Sequence, residues 1–192
     1  MLQKKYIQQL KQDLLNYALI RREVIKQSDD ALHHAKRAIF ALHRDNLKEA
    51  EEKLKESLTL LKGIHTKYKK DVRVFDEGAY KAGVEEYVEA TLLYQFLVTS
   101  SIGDIKTIPI SAESYVGGLC DVPGELYRYA IKSATEGNLN RVKECAKMAE
   151  EIVGELIEFN LTSYLRTKFD QAKSAVHKLE EVVYEVSLRR TK

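Results

Sequence analysis

Four carboxylates stand at spacings that a helix turns into shared faces. Glu86 and Glu89, within Glu85-Glu86-Tyr87-Val88-Glu89, are three residues apart; Asp121 and Glu125 are four apart and bracket Pro123 and Gly124. Residues at those separations lie one helical turn from each other. Like charges there repel by a few tenths of a kcal/mol when exposed, so such pairs need a reason. If the two helices face each other, all four carboxylates converge. An oxygen-only donor set suits Mg²⁺ or Mn²⁺, and such an ion activates water and stabilises negative charge at a phosphoryl centre. The plainer account is that acids on helices simply face solvent. Glu85, about 100° around the helix from Glu86, is expected to stand apart from the set.

Other chemistries meet obstacles in the same residues. A di-iron bundle needs Glu-x-x-His, and no His lies three residues after a Glu. A zincin needs His-Glu-x-x-His, which is absent. Adjacent His33 and His34 cannot share a helical face, and His43 and His65 have no obvious partner; all read as surface or nucleic-acid-facing groups. No glycine-rich phosphate loop and no nucleophile elbow appear. One competitor survives in part: all-α nucleoside triphosphate pyrophosphohydrolases hold Mg²⁺ with Glu-x-x-Glu followed by Glu-x-x-Asp. Glu86 and Glu89 fit the first half, while Asp121-x-x-x-Glu125 misses the second.

The elements that must position these acids are helices. The chain has 192 residues, 44% hydrophobic, with nine Gly, two Pro and two Cys. That composition excludes wholesale disorder, a disulfide framework and a turn-rich sandwich or barrel. It fits one all-α domain over residues 1–192, a bundle of about six to seven helices. Ile7, Leu10, Leu14, Tyr17, Val24, Ala31, Ala35, Ile39 and Leu42 keep near-helical spacing, predicting a first helix from about 4 to 44. Asp45-Asn46 breaks it, with Asn46 as the next N-cap. Leu47, Ala50, Leu54, Leu58 and Leu61 form the second stripe, whose end Gly63 weakens. The third helix is expected over about 76–99, and Ser100–Ile110 reads as a loop. The fourth runs from Ser111 to Glu136, with Pro123 expected to kink it. Gly117, Gly118 and Gly124 would admit a close backbone or a ligand. Gly137-Asn138 separates it from a fifth helix ending near Asn160, and a sixth covers Ser163 to about Leu188. No signal peptide or membrane span is visible, so the expectation is a reduced, cytoplasmic protein without membrane association.

Charge is uneven. Residues 1–44 hold nine Lys and Arg against four acids, although the whole chain is only +2. A basic arm beside an acidic body suits a polyanion; the alternative is an ordinary solvated face. A helix of some forty residues spans roughly 60 Å, longer than a compact body of this size. Its end must project or pack on another subunit, which predicts oligomerisation.

Four segments carry a resemblance: Lys36-Arg37-Ala38-Ile39-Phe40-Ala41-Leu42-His43-Arg44, Glu86-Tyr87-Val88-Glu89-Ala90, Asp121-Val122-Pro123-Gly124-Glu125-Leu126-Tyr127-Arg128, and Lys178-Leu179-Glu180-Glu181-Val182-Val183-Tyr184-Glu185-Val186-Ser187-Leu188-Arg189. Through them the chain resembles the translin family, and its translin-associated factor X branch more than translin itself, which lacks the acidic set. The resemblance implies an all-helical subunit of a hollow, roughly octameric shell that binds RNA inside. It also implies a metal-dependent endoribonuclease whose catalytic and Mg²⁺-holding acids are Glu86, Glu89 and Asp121, assisted by Glu125. RNA-contacting residues would be Lys36, Arg37 and Arg128, with Arg44 grouped beside them, and the RNA single-stranded or a short duplex; single-stranded DNA is a further candidate. The chain lacks the long insert and N-terminal tail of eukaryotic factor X, which points to a minimal, archaeal-type homo-oligomer. A translin-like protein that binds single-stranded RNA or DNA without cutting it is the alternative.

Overall fold

In the computed structural model, residues 2–189 are described; the single domain read over 1–192 extends to residues 1 and 190–192, which lie outside them. Six helices follow one another: α1 (Lys4–Leu42), α2 (Leu47–Tyr68), α3 (Gly78–Thr99), α4 (Ala112–Thr135), α5 (Leu139–Leu156) and α6 (Ser163–Arg189). Short 3-10 turns cover Val72–Asp76 and Ile157–Phe159. The expected all-α class is therefore correct, and no strand occurs among the described residues.

Local chemistry sets the boundaries. Asp45 adopts a left-handed φ of 57°, which Asp tolerates better than most residues, and the chain turns there into α2. The Asn46 side chain accepts the Glu49 backbone N–H at 3.2 Å, Ser111 accepts that of Ser114 at 3.1 Å and Asn138 that of Arg141 at 3.2 Å; each cap satisfies a helix donor that has no intrahelical partner. Gly63 does not end α2, which continues to Tyr68. α4 is helical throughout, Pro123 included.

Packing falls into two groups of three. α1, α2 and α3 pack together, as do α4, α5 and α6, and the α3–α4 contact joins the groups. α3 is buried on nearly every side (Tyr80, Val84, Tyr87, Val88, Leu92, Leu93 and Phe96), as expected of a helix clamped between neighbours. Gly118 makes the join possible: a Cβ there would stand 2.6 Å from the Glu85 carbonyl oxygen and 2.7 Å from a Val88 methyl. Of the three candidate glycines, Gly117 and Gly118 admit α3, while nothing lies within 4 Å of a Cβ built at Gly124.

α1 outgrows this body. Val24 is its first buried residue, and Leu10, Leu14, Leu15 and Leu19 are all exposed. Ile7, Leu10 and Leu14, part of the same near-helical pattern, are solvent-facing within one chain, as a projecting end requires. No helix among the described residues is long and apolar enough to cross a membrane.

Candidate functional site

The α3–α4 seam carries the acids. Glu86 and Glu89 face it from α3, and Asp121 and Glu125 from α4. The four are close enough to act on one another: the charges of Asp121 and Glu125 bear on both Glu86 and Glu89. The helical spacing thus brings the four within electrostatic reach of one another.

Their surroundings differ. Glu89 is 8% exposed, and burial, reinforced by Asp121, Glu86 and Glu125, pushes its carboxyl well above the usual range. No ion-pair or hydrogen-bond partner stands on it among the described residues. Burial likewise pushes Glu86 up to about 6, against the pull of Lys36, whose ammonium is 3.9 Å away. Asp121 is also raised by burial, although Lys168 pulls it down. Glu125 goes the other way. Burial acts to raise its carboxyl, but His43 and Arg128 outweigh it and hold it below the ordinary value.

Those neighbours explain how the site is framed. α1 lays one face across it: Lys36 toward Glu86, His43 Nε2 donating to Glu125 Oε2, and Phe40 between them in sequence. From α4, Arg128 Nη1 donates to both Glu125 oxygens at 3.0 Å, and its guanidinium sits 5.7 Å from the centroid of the exposed Phe40 ring. From α6, Lys168 forms ion pairs with Asp121 and, at 3.1 Å, with Glu85. Tyr164 Oη donates to the same Glu85 carboxylate at 2.9 Å.

Of the expected basic residues, Lys36 and Arg128 reach the rim of the acidic cluster. Arg37 is exposed and bears on Glu56 of α2 instead, and Arg44 leans onto Glu49 at 3.2 Å. Two expectations need correction. Glu85 is no bystander: α3 has no solvent face at that position, so Glu85 is buried against Gly117, whose Cβ would come within 2.8 Å of its carboxyl carbon. His43 and His65 do have partners. His43 holds Glu125, and the His65 ring lies 5.2 Å from that of Phe75. Lys168 and Tyr164 carried no sequence signal, because they meet acids 47 and 79 residues away. Phe40 and His43 could have been found, since they follow Lys36 by four and seven residues along one face of α1.

The donor set fits a hard dication in its chemistry: every candidate ligand atom is a carboxylate oxygen, and one member, Glu89, is buried with no bonded cation among the described residues. As the side chains lie, no group of three or more His, Cys, Asp or Glu among the described residues is closed around a metal position. Lys168 holds Asp121, while His43 and Arg128 hold Glu125.

Comparison with known proteins agrees with this architecture. A family model described as the translin family matches residues 19–190. An uncharacterised protein of Methanocaldococcus jannaschii is 28% identical over 172 residues, 86% of this chain and 75% of that protein. The translin-associated protein X homologue of Schizosaccharomyces pombe is 24% identical over 191 residues, covering 88% and 81% of the two chains. Among solved structures, AfC3PO superposes with a TM-score of 0.88 at 22% identity, over 97% of this chain and 100% of the other. The AfC3PO complex with duplex RNA gives 0.85 at 22% identity, over 97% and 99%.

Proposed function

The chain belongs to the translin family, and from that premise we propose that it is an RNA-binding, metal-dependent endoribonuclease of the translin-associated factor X type, acting as a homo-oligomer. The observation that carries this reading is Glu89, a carboxylate buried and unpaired among three others on facing helices. Without metal the raised proton affinity of Glu89 makes up for the missing partner; a dication bound among the four acids would displace that proton and supply the charge. The S. pombe relative is a protein X homologue, and AfC3PO was solved with duplex RNA; both favour RNA over a nucleotide as the ligand.

Glu86, Glu89 and Asp121 would hold Mg²⁺ or Mn²⁺, with Glu125 assisting. The bound ion supplies water activation and offsets charge at the phosphoryl centre. The chain's own groups do the rest. Lys36 and Arg128, at the rim, bind phosphates on either side of the scissile bond and offset the charge that develops there. Glu86, the acid between that rim and the interior, accepts a proton from the attacking water. His43 and Arg128 keep Glu125 ionised and fixed. Nothing in the set reads base edges, so strandedness and access govern cleavage. The projecting apolar turns of α1 are covered by other copies of the chain, with eight subunits as the family-based expectation.

Purified protein is incubated with end-labelled single-stranded or duplex RNA, or with nucleoside triphosphate, each with Mg²⁺ or EDTA. Internal RNA cuts that need Mg²⁺ support the reading. Binding without cuts supports a non-catalytic translin-like protein, and pyrophosphate release supports the pyrophosphohydrolase. Light scattering should give a mass several times 22.0 kDa; a strict monomer at micromolar concentration contradicts the assembly.

A further inference from the structure

The Lys168 ammonium is enclosed by oxygens. Besides Asp121 Oδ2 it meets Glu85 Oε2 at 3.1 Å and the Gly117 carbonyl at 3.5 Å. An ammonium offers three donors and no acceptor, so these three oxygens use it fully. The group is well inside the protein, the Lys168 and Glu85 side chains being only 13% and 9% exposed. Glu85 cannot easily leave. Tyr164 donates to its Oε2, and its carboxyl is wedged where Gly117 lacks a Cβ. Asp121 has no such second anchor. Its only bonded partner among the described residues is Lys168, and its side chain is more open, at 30%.

Two carboxylates thus share one ammonium, but only one of them is a proposed metal ligand. The charge of Lys168 also reaches Glu86 and Glu89 without bonding to either. We infer that Lys168 is the resident counter-cation of the site: without metal it occupies Asp121, and it yields that carboxylate to a dication by withdrawing onto Glu85. Lys168 is then a positioning residue that competes with the dication, and Glu85 is the anchor that receives it. The inference rests on the dication reading above and adds what regulates loading.

The test is Mn²⁺ binding to RNA-free protein, counting free Mn²⁺ by electron paramagnetic resonance. A neighbouring opposite charge alters a carboxylate's proton affinity by one to three units, at least about tenfold. Lys168→Met should therefore bind Mn²⁺ about tenfold tighter or more, while Lys168→Arg, which keeps the charge, should bind no tighter than the wild type. Equal or weaker binding by a folded Lys168→Met protein overturns the competition while leaving the wild-type metal site standing. No saturable Mn²⁺ binding by the wild type or either variant removes the dication reading, and this inference with it. Should Lys168→Met fail to fold, a Mn²⁺-soaked wild-type crystal decides: Nζ on Glu85 and away from Asp121 supports the exchange, and Nζ still bonded to Asp121 beside bound Mn²⁺ refutes it.

Discussion

α4 contributes to two acidic places, and they behave oppositely. Toward its end, Tyr129 Oη and Lys132 Nζ both bond to Asp45 at the turn between α1 and α2. Arg141 backs this corner from α5, its guanidinium 5.7 Å from the Tyr129 ring centroid and 4.9 Å from that of Phe96. Burial acts to raise the Asp45 carboxyl, yet Lys132 and Tyr129 overcome it and hold the group below its ordinary value. Two turns earlier, Asp121 faces Glu86 and Glu89, and all three are raised. The residue types are the same and the helix is the same. What differs is whether each carboxylate has its own cation. Asp45 does, and it joins two helices. The seam acids share too few, and it is on this deficit that the proposed dication site rests.

Amide substitutions test this difference most strongly. Glu86→Gln and Asp121→Asn keep shape and remove charge, so each should lower RNA cleavage by at least about 100-fold while RNA affinity changes little. Asp45→Asn should leave cleavage intact. It weakens a partly exposed ion pair and one hydrogen bond, costing about 1 kcal/mol, a fall in Tm of about 2–4 °C. Single-turnover cleavage together with thermal melts measures both. A dead Asp45→Asn enzyme beside active seam variants would reverse the comparison.

A smaller effect is expected at the rim. Lys36→Ala/Arg128→Ala should weaken RNA binding whatever the sequence and reduce the salt slope by roughly 1 per residue removed. Arg37→Ala/Arg44→Ala should change it less, because Arg37 lies toward Glu56 and Arg44 toward Glu49. Fluorescence anisotropy across a salt series distinguishes the two pairs; equal slopes would separate RNA binding from the acidic seam.

The smallest effect is read in the metal-free protein. Glu86 is pushed up to about 6 when folded, against an ordinary glutamate value of 4.5, so the folded state holds the extra proton between those values. Its contribution to stability is then fully present below about pH 4.5 and is lost as pH rises through 6, by up to about 2 kcal/mol. Glu86→Gln should flatten that segment of a denaturation series in EDTA. Asp45 has the opposite sign: its contribution is present above the ordinary Asp value and fades as pH falls through its lowered one, so Asp45→Asn should leave the 4.5–6 segment unchanged.

The sequence made the four seam acids legible because each pair is local, one turn apart on one helix. Asn46, Ser111 and Asn138 were equally readable, since a cap bonds three residues ahead. Partners brought by packing were not. Lys168 reaches Asp121 from a helix 47 residues downstream, and His43 reaches Glu125 across 82. The pairing of Glu85 is hidden from the sequence for a related reason. Its rotation around α3 follows from helical geometry, whereas burial of that face by α4 and α6 comes only with tertiary packing. Pairing, which decides between a structural acid and a functional one, is a tertiary property.

Glu89 therefore bears the central claim. Its substitution by Gln removes the one seam carboxylate without a bonded partner among the described residues, so nothing else in the fold should suffer. With labelled RNA and Mg²⁺, the wild type should make internal cuts that EDTA abolishes. Glu89→Gln should bind the same RNA with unchanged affinity, retain or raise its metal-free Tm, and make no cuts. A Glu89→Gln protein that cuts at the wild-type rate would contradict the account.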